Sequence, residues 1–111
     1  MIVCENEIRD AIESELISAK ENHGLFASPH EAYAVTLEEF EEAKNELYDC
    51  EEDLDFIWQR TKEDRIGYAL IGFANLRRHA ERLAQEACQL AAMAIKAEQS
   101  FAEQMEDKKN D

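Results

Sequence analysis

The chain has 111 residues, 26 of them acidic and 12 basic, for a net charge of −14 with the histidines neutral. That length predicts one domain, 1–111, with a modest core that a second subunit would complete, and the charge argues against direct binding to nucleic acid, which needs a basic face. With one proline, three glycines and no apolar run near the roughly 18 residues of a membrane span, an all-α fold away from the membrane is expected.

The segment Met1 to Glu7 is acidic and has no signal-peptide layout. Cys4, Cys50 and Cys88 are odd in number and form no C-x-x-C pair, so they read as reduced thiols, and the expected compartment is cytoplasmic. Helix one is predicted from about Val3 to Asn22, with Ile8, Ile12, Leu16 and Ala19 on its buried stripe, ending at His23-Gly24, where glycine takes a left-handed cap. A short loop, Leu25 to Ala27, follows. Ser28 then stands as N-cap with Pro29 at the first helical position and Glu31 three residues on, the capping-box pattern.

Helix two is predicted to continue to about Arg60, on a three-four seam of Phe40, Ala43, Leu47, Cys50, Leu54 and Ile57. Beside that seam Glu39, Glu42 and Glu46 fall within about 60° of one another. After a turn near Thr61 to Asp64, helix three runs from about Arg65 to Glu103. Its stripe is Ile66, Ala69, Phe73, Leu76, Ala80, Leu83, Ala87, Leu90, Ala94, Ala97 and Phe101. Gly67 and Gly72 each cost up to about 1 kcal/mol relative to alanine, so an interruption there would turn a bundle of three long helices into one of four. Residues 105–111 are expected to fray.

Glu86 is a lone acid on the edge of the helix-three stripe, about 60° from Leu83. A carboxylate carried along a packing face needs compensation. Set beside the Glu39/Glu42 pair, it would make an all-oxygen cage of the kind that Mg²⁺ or Mn²⁺ prefers. Charge is uneven as well: residues 1–57 hold 17 acids and 3 bases, residues 58–111 hold 9 of each. A triphosphate could approach such a chain only as its metal complex, met by bases of the second half. Arg82 and Lys96 project from the same side of helix three as Glu86 and Gln89.

The run Ser28-Pro29-His30-Glu31-Ala32-Tyr33-Ala34-Val35, leading into Glu38-Glu39-x-x-Glu42, and then Glu86-Ala-Cys-Gln89, resembles the MazG-like branch of the all-α nucleoside triphosphate pyrophosphohydrolases over about residues 27–97. Members bind Mg²⁺ through an E-E-x-x-E segment on one helix and an E-x-x-D segment on a later one, and cleave (d)NTPs to the monophosphate and pyrophosphate. The resemblance implies a Mg²⁺ site, with Mn²⁺ as a substitute, at Glu39, Glu42 and Glu86. Gln89 stands where the family has aspartate and offers only a neutral carbonyl oxygen. Glu38 or Glu46 would orient the attacking water, Arg82 and Lys96 would meet the phosphates, and His30 and Trp58 would meet the base. A homodimer or homotetramer is expected.

A second reading is a non-catalytic acidic helical module, an adaptor or a nucleic-acid-mimicking decoy, whose acids would spread over the outer surface instead of converging. His79 lies on the stripe one heptad before Glu86 and reads as a hydrogen-bonded core or interface residue in preference to a metal ligand. A di-iron carboxylate bundle would need Glu-x-x-His pairs, and the sequence has none.

Overall fold

The computed structural model describes residues 4–110, with side chains described for residues 4–102. Three helices follow one another: α1, Glu5–His23; α2, Pro29–Lys62; and α3, Ile66–Asn110. No strand occurs among the described residues, and no helix among them is long and apolar enough to cross a membrane.

The stops and starts follow from local chemistry. Gly24, at φ 67°, ends α1 in the left-handed region and donates its N–H to the carbonyl of Lys20 at 2.8 Å. Ser28 Oγ accepts the Glu31 N–H at 3.1 Å, the cap that its position predicted. At the far end of α2, Asp64 takes φ 57°, which aspartate tolerates better than bulkier residues. Around it the Asp64 N–H reaches Thr61 O at 3.1 Å and the Arg65 N–H reaches Arg60 O at 2.9 Å, which satisfies two carbonyls of the last turn of α2.

The chain divides into two compact units. The first comprises residues up to Phe40 and from Ala87 onward. Its core gathers Leu16, Phe26, Ala32, Ala92 and Met93, with Ile12, Ala19, Val35, Ile95, Ala97 and Phe101 packed against them. Burying a leucine or phenylalanine of this kind contributes about 1.5–3 kcal/mol. Ile8 belongs to the expected α1 stripe but is 47% exposed, so that stripe starts at Ile12. Ser100 Oγ ties the Leu25 to Ala27 segment down: it accepts the Phe26 N–H at 2.9 Å and donates to Lys96 O at 2.7 Å.

The second unit, Glu41–Glu86, is an antiparallel pair of helix segments. Its buried positions on α2 are Ala43, Cys50 and Ile57, spaced by seven, and on α3 Ala69 and Gly72. The seam predicted for α2 is therefore split. Ala43, Cys50 and Ile57 face inward, whereas Leu47 and Leu54 are 58% and 52% exposed. On α3, Ile66 and Phe73 of the expected stripe are likewise exposed.

α3 is unbroken across both of its early glycines, so the described chain has three helices and not four. It also continues to Asn110, through most of the segment expected to fray. The two glycines differ in kind. A Cβ on Gly67 would meet nothing within 4 Å, whereas one on Gly72 would sit 2.6 Å from Ile57 Cγ1 and 2.9 Å from Phe56 Cδ1. Gly72→Ala should thus lose roughly 1–2 kcal/mol, since overpacking outweighs the gain in helix propensity. Gly67→Ala should gain a few tenths up to about 1 kcal/mol. Urea unfolding of the two variants checks the pair, and a stabilised Gly72→Ala would show that the helices do not approach this closely.

Candidate functional site

Glu39, Glu42, Glu46, Asp49 and Asp53 recur along α2 in steps of three and four, so the helix itself sets them in one row. Within the second unit, Glu42 on α2 and Glu86 on α3 bring carboxylate oxygens within 4.8 Å of each other. Glu39 lies one turn earlier on α2, in the first unit. Glu39 and Glu86 are half-buried and Glu42 is exposed. Two unit charges about 4 Å apart repel by about 4 kcal/mol at an effective dielectric of 20, and by less where water reaches one of them. The donors of the pair are all oxygen, the chemistry suited to Mg²⁺.

Glu39 also lines a cavity of about 540 Å³ in the first unit, together with Glu38 and Gln89. Ser18, Asn22 and His23 of α1 supply polar groups to its wall, and Phe26 supplies an aromatic ring. Lys96 lines it too and is only 4% exposed. Its Nζ stands 4.3 Å from the centroid of the Phe26 ring, a cation–π contact that keeps the ammonium in place against an apolar surface. Gln89 follows Glu86 by one turn of α3, so the helix presents the two side chains on one face.

The other residues expected at a site lie elsewhere. His30 is exposed in the first turn of α2 and is not among the residues lining the cavity. Trp58 belongs to the second unit, is 58% exposed, and has Lys62 Nζ 5.4 Å from its ring. Arg82 is exposed on α3 in the same unit. Glu46 contributes a carboxylate oxygen to a different group, within 4.8 Å of ligand atoms of Asp49 and His79. No family model, curated protein or solved structure matches the chain.

His79 is half-buried and hydrogen-bonded, as its place on the stripe predicted. Its Nδ1 is 2.5 Å from Asp53 Oδ2 and its Nε2 is 3.9 Å from Asp49 Oδ2. The bond to Asp53 pushes the imidazole pKa up from its ordinary value; burial lowers it in part, and the negative charges of Asp53, Asp49 and Glu46 raise it further. Because the folded pKa lies above the unfolded one, the stabilisation is complete below about pH 6.5 and is lost as pH rises through the folded value. In chelator-treated buffer, urea midpoints should fall as pH rises above about 6.5, and His79→Gln should flatten that fall. An equally steep fall in the variant would place the titration elsewhere. Cys50, buried on the same helix face, has its thiol pKa pushed up by burial above all, then by Asp53, Glu46 and Asp49, which makes it a poor nucleophile.

Proposed function

We propose that the chain is a Mg²⁺-dependent nucleotide pyrophosphohydrolase of MazG-like type, cleaving a (d)NTP to the (d)NMP and pyrophosphate. The observation that carries this reading is the approach of Glu86 to Glu42, two acids with forty-three residues between them in sequence and both inside the motifs that resemble the family. In this scheme Glu39, Glu42 and Glu86 hold Mg²⁺, and Gln89 adds a neutral oxygen. Bound there, the ion would polarise the phosphoryl oxygens and offset the charge of the departing pyrophosphate.

The chain's own groups take the remaining tasks. Glu38, which lines the cavity beside Glu39, accepts a hydrogen bond from the attacking water and orients it. Lys96, held over Phe26, meets the phosphates as a fixed positive charge. The cavity's about 540 Å³ suits a ligand of nucleotide size. His30, Trp58 and Arg82 receive no such support from their positions. Neither does Glu46, which sits with Asp49 and His79.

The same proposal includes a helical bundle completed by a homodimer or larger assembly, supported by the exposed apolar side chains of the second unit, Leu47, Leu54, Leu70 and Phe73. Exposed apolar area of that extent on a small acidic protein is a signature of an interface. A decoy spreads its acids outward and gains nothing from holding Glu42 against Glu86, which is why the enzyme reading is preferred. Pyrophosphate release screened over the common NTPs and dNTPs with Mg²⁺ or Mn²⁺ tests it. The expected result is turnover of at least one nucleotide that stops with chelator, and no turnover of any would reject the activity.

A further inference from the structure

Asp49 follows Glu42 by seven residues on α2, and His79 precedes Glu86 by seven on α3. In an antiparallel pair those two steps run the same way in space. The Asp49/His79 pair is thus the Glu42/Glu86 pair displaced by about 10.5 Å along the helices, at 1.5 Å per residue. Glu46 stands in the same relation to Glu39. One carboxylate of the first group has become an imidazole in the second, which changes the ions it suits.

We propose that Glu46, Asp49 and His79 form a second cation site, suited to a first-row divalent transition ion such as Zn²⁺, with Asp53 as the group that positions the histidine. The proposal concerns the second unit alone and does not depend on the pyrophosphohydrolase reading. One ligand atom from each of the three lies within 4.8 Å of the others. Two ligands bonded to one zinc ion at about 2.0–2.2 Å are separated by no more than about 4.4 Å. The 3.9 Å between His79 Nε2 and Asp49 Oδ2 already satisfies that limit, and small side-chain rotations bring Glu46 within it.

Two further observations favour a ligand there. Glu46 Oε2 is sealed from solvent and has no hydrogen-bond partner, an expensive state for a carboxylate oxygen unless something positive arrives. His79 Nδ1 is held by Asp53 Oδ2, the outer carboxylate that metal-binding histidines commonly use to fix their ring and tautomer. With its Nδ1–H donated to Asp53, the neutral ring turns its Nε2 lone pair toward Asp49. A nitrogen donor beside two carboxylates favours zinc or a neighbouring transition ion over Mg²⁺, which prefers oxygen and its own water. Bound, the ion would link α2 to α3 across the second unit.

Imidazole ¹⁵N spectra of the full chain, recorded as Zn²⁺ is added, test the site without any mutation. The expected result is that one equivalent shifts the His79 Nε2 resonance and leaves those of His23 and His30 in place. His79→Gln and Asp49→Asn should each weaken Zn²⁺ binding at least about tenfold, and Asp53→Asn about 10-fold to 100-fold. Glu86→Gln, which alters the other acidic pair, should leave it within about twofold. His79 nitrogens that respond to pH and ignore Zn²⁺ would reduce the cluster to an ion pair and overturn the proposal. So would Zn²⁺ binding that survives His79→Gln unchanged, which would place the ion on the thiols or on the other acids.

Discussion

Glu86→Gln is expected to erase the Mg²⁺-dependent rise in melting temperature and, with it, hydrolysis. A ligand that binds only the folded chain stabilises it by about 2.7 kcal/mol at a hundredfold excess over its Kd. For a chain of about a hundred residues that corresponds to roughly 10 °C or more. Glutamine keeps the shape of glutamate but removes one of the two charges that approach each other across α2 and α3 in the second unit. Gln89→Asp should move in the opposite direction, since it adds a carboxylate one turn beyond Glu86 and so tightens metal binding. Melting curves with and without Mg²⁺ distinguish this from a decoy, for which the ion acts only by screening. Equal metal responses in wild type and Glu86→Gln would reject the carboxylate site and leave the helical fold untouched.

Helix limits were legible wherever a single residue type controls the backbone. Gly24 ends α1 and Ser28-Pro29 opens α2 where the sequence placed them, because left-handed φ and an unpaired N–H leave few chemical solutions. The phase of the stripes was harder to read. On α3 the most buried side chains of the first unit are Ala92, Met93 and Lys96, whereas the periodicity selected Ala87, Leu90, Ala94 and Ala97, which lie to one side of that face. Hydrophobic periodicity finds the apolar side of a helix, and it cannot distinguish a face turned to the chain's own core from one left for a partner. Gly72 misled for a related reason. Its cost to the helix is visible in sequence, but the close approach of Ile57 that requires it is not.

The candidate site shows the same division. Glu42 and Glu86, each beside an apolar seam, stand out in the sequence and approach each other in the fold, and Lys96 lines the same cavity as Gln89. Phe26 was read as part of a connecting loop, because nothing local says that Ser100 will anchor its N–H at a distance of 74 residues. Asp49 and Asp53 belong to no motif in the sequence. Only the seven-residue offset of Asp49 from Glu42, matched by that of His79 from Glu86, would have singled Asp49 out, and a heptad relation between unlike residues has no motif to announce it.

If the chain forms the dimer proposed above, Leu54→Gln combined with Phe73→Gln is expected to convert it to monomer without unfolding it. Both side chains are 52% exposed, and they lie outside the buried line of Ala43, Cys50 and Ile57. The inner face of the second unit carries Glu46, Asp49, Asp53 and His79, all half-buried, while leucines and a phenylalanine face out. A partner covering those exposed side chains would account for the arrangement. Covering the exposed part of each side chain contributes about 1 kcal/mol, so losing both, in each of two subunits, raises the dimer Kd by a factor on the order of 10²–10³. Sedimentation velocity at micromolar concentration reads that change. Circular dichroism should stay near wild type, since no core contact is removed. A wild-type chain that already sediments as a monomer would overturn the assembly, and its outer apolar stripe would then be accounted for by a different partner.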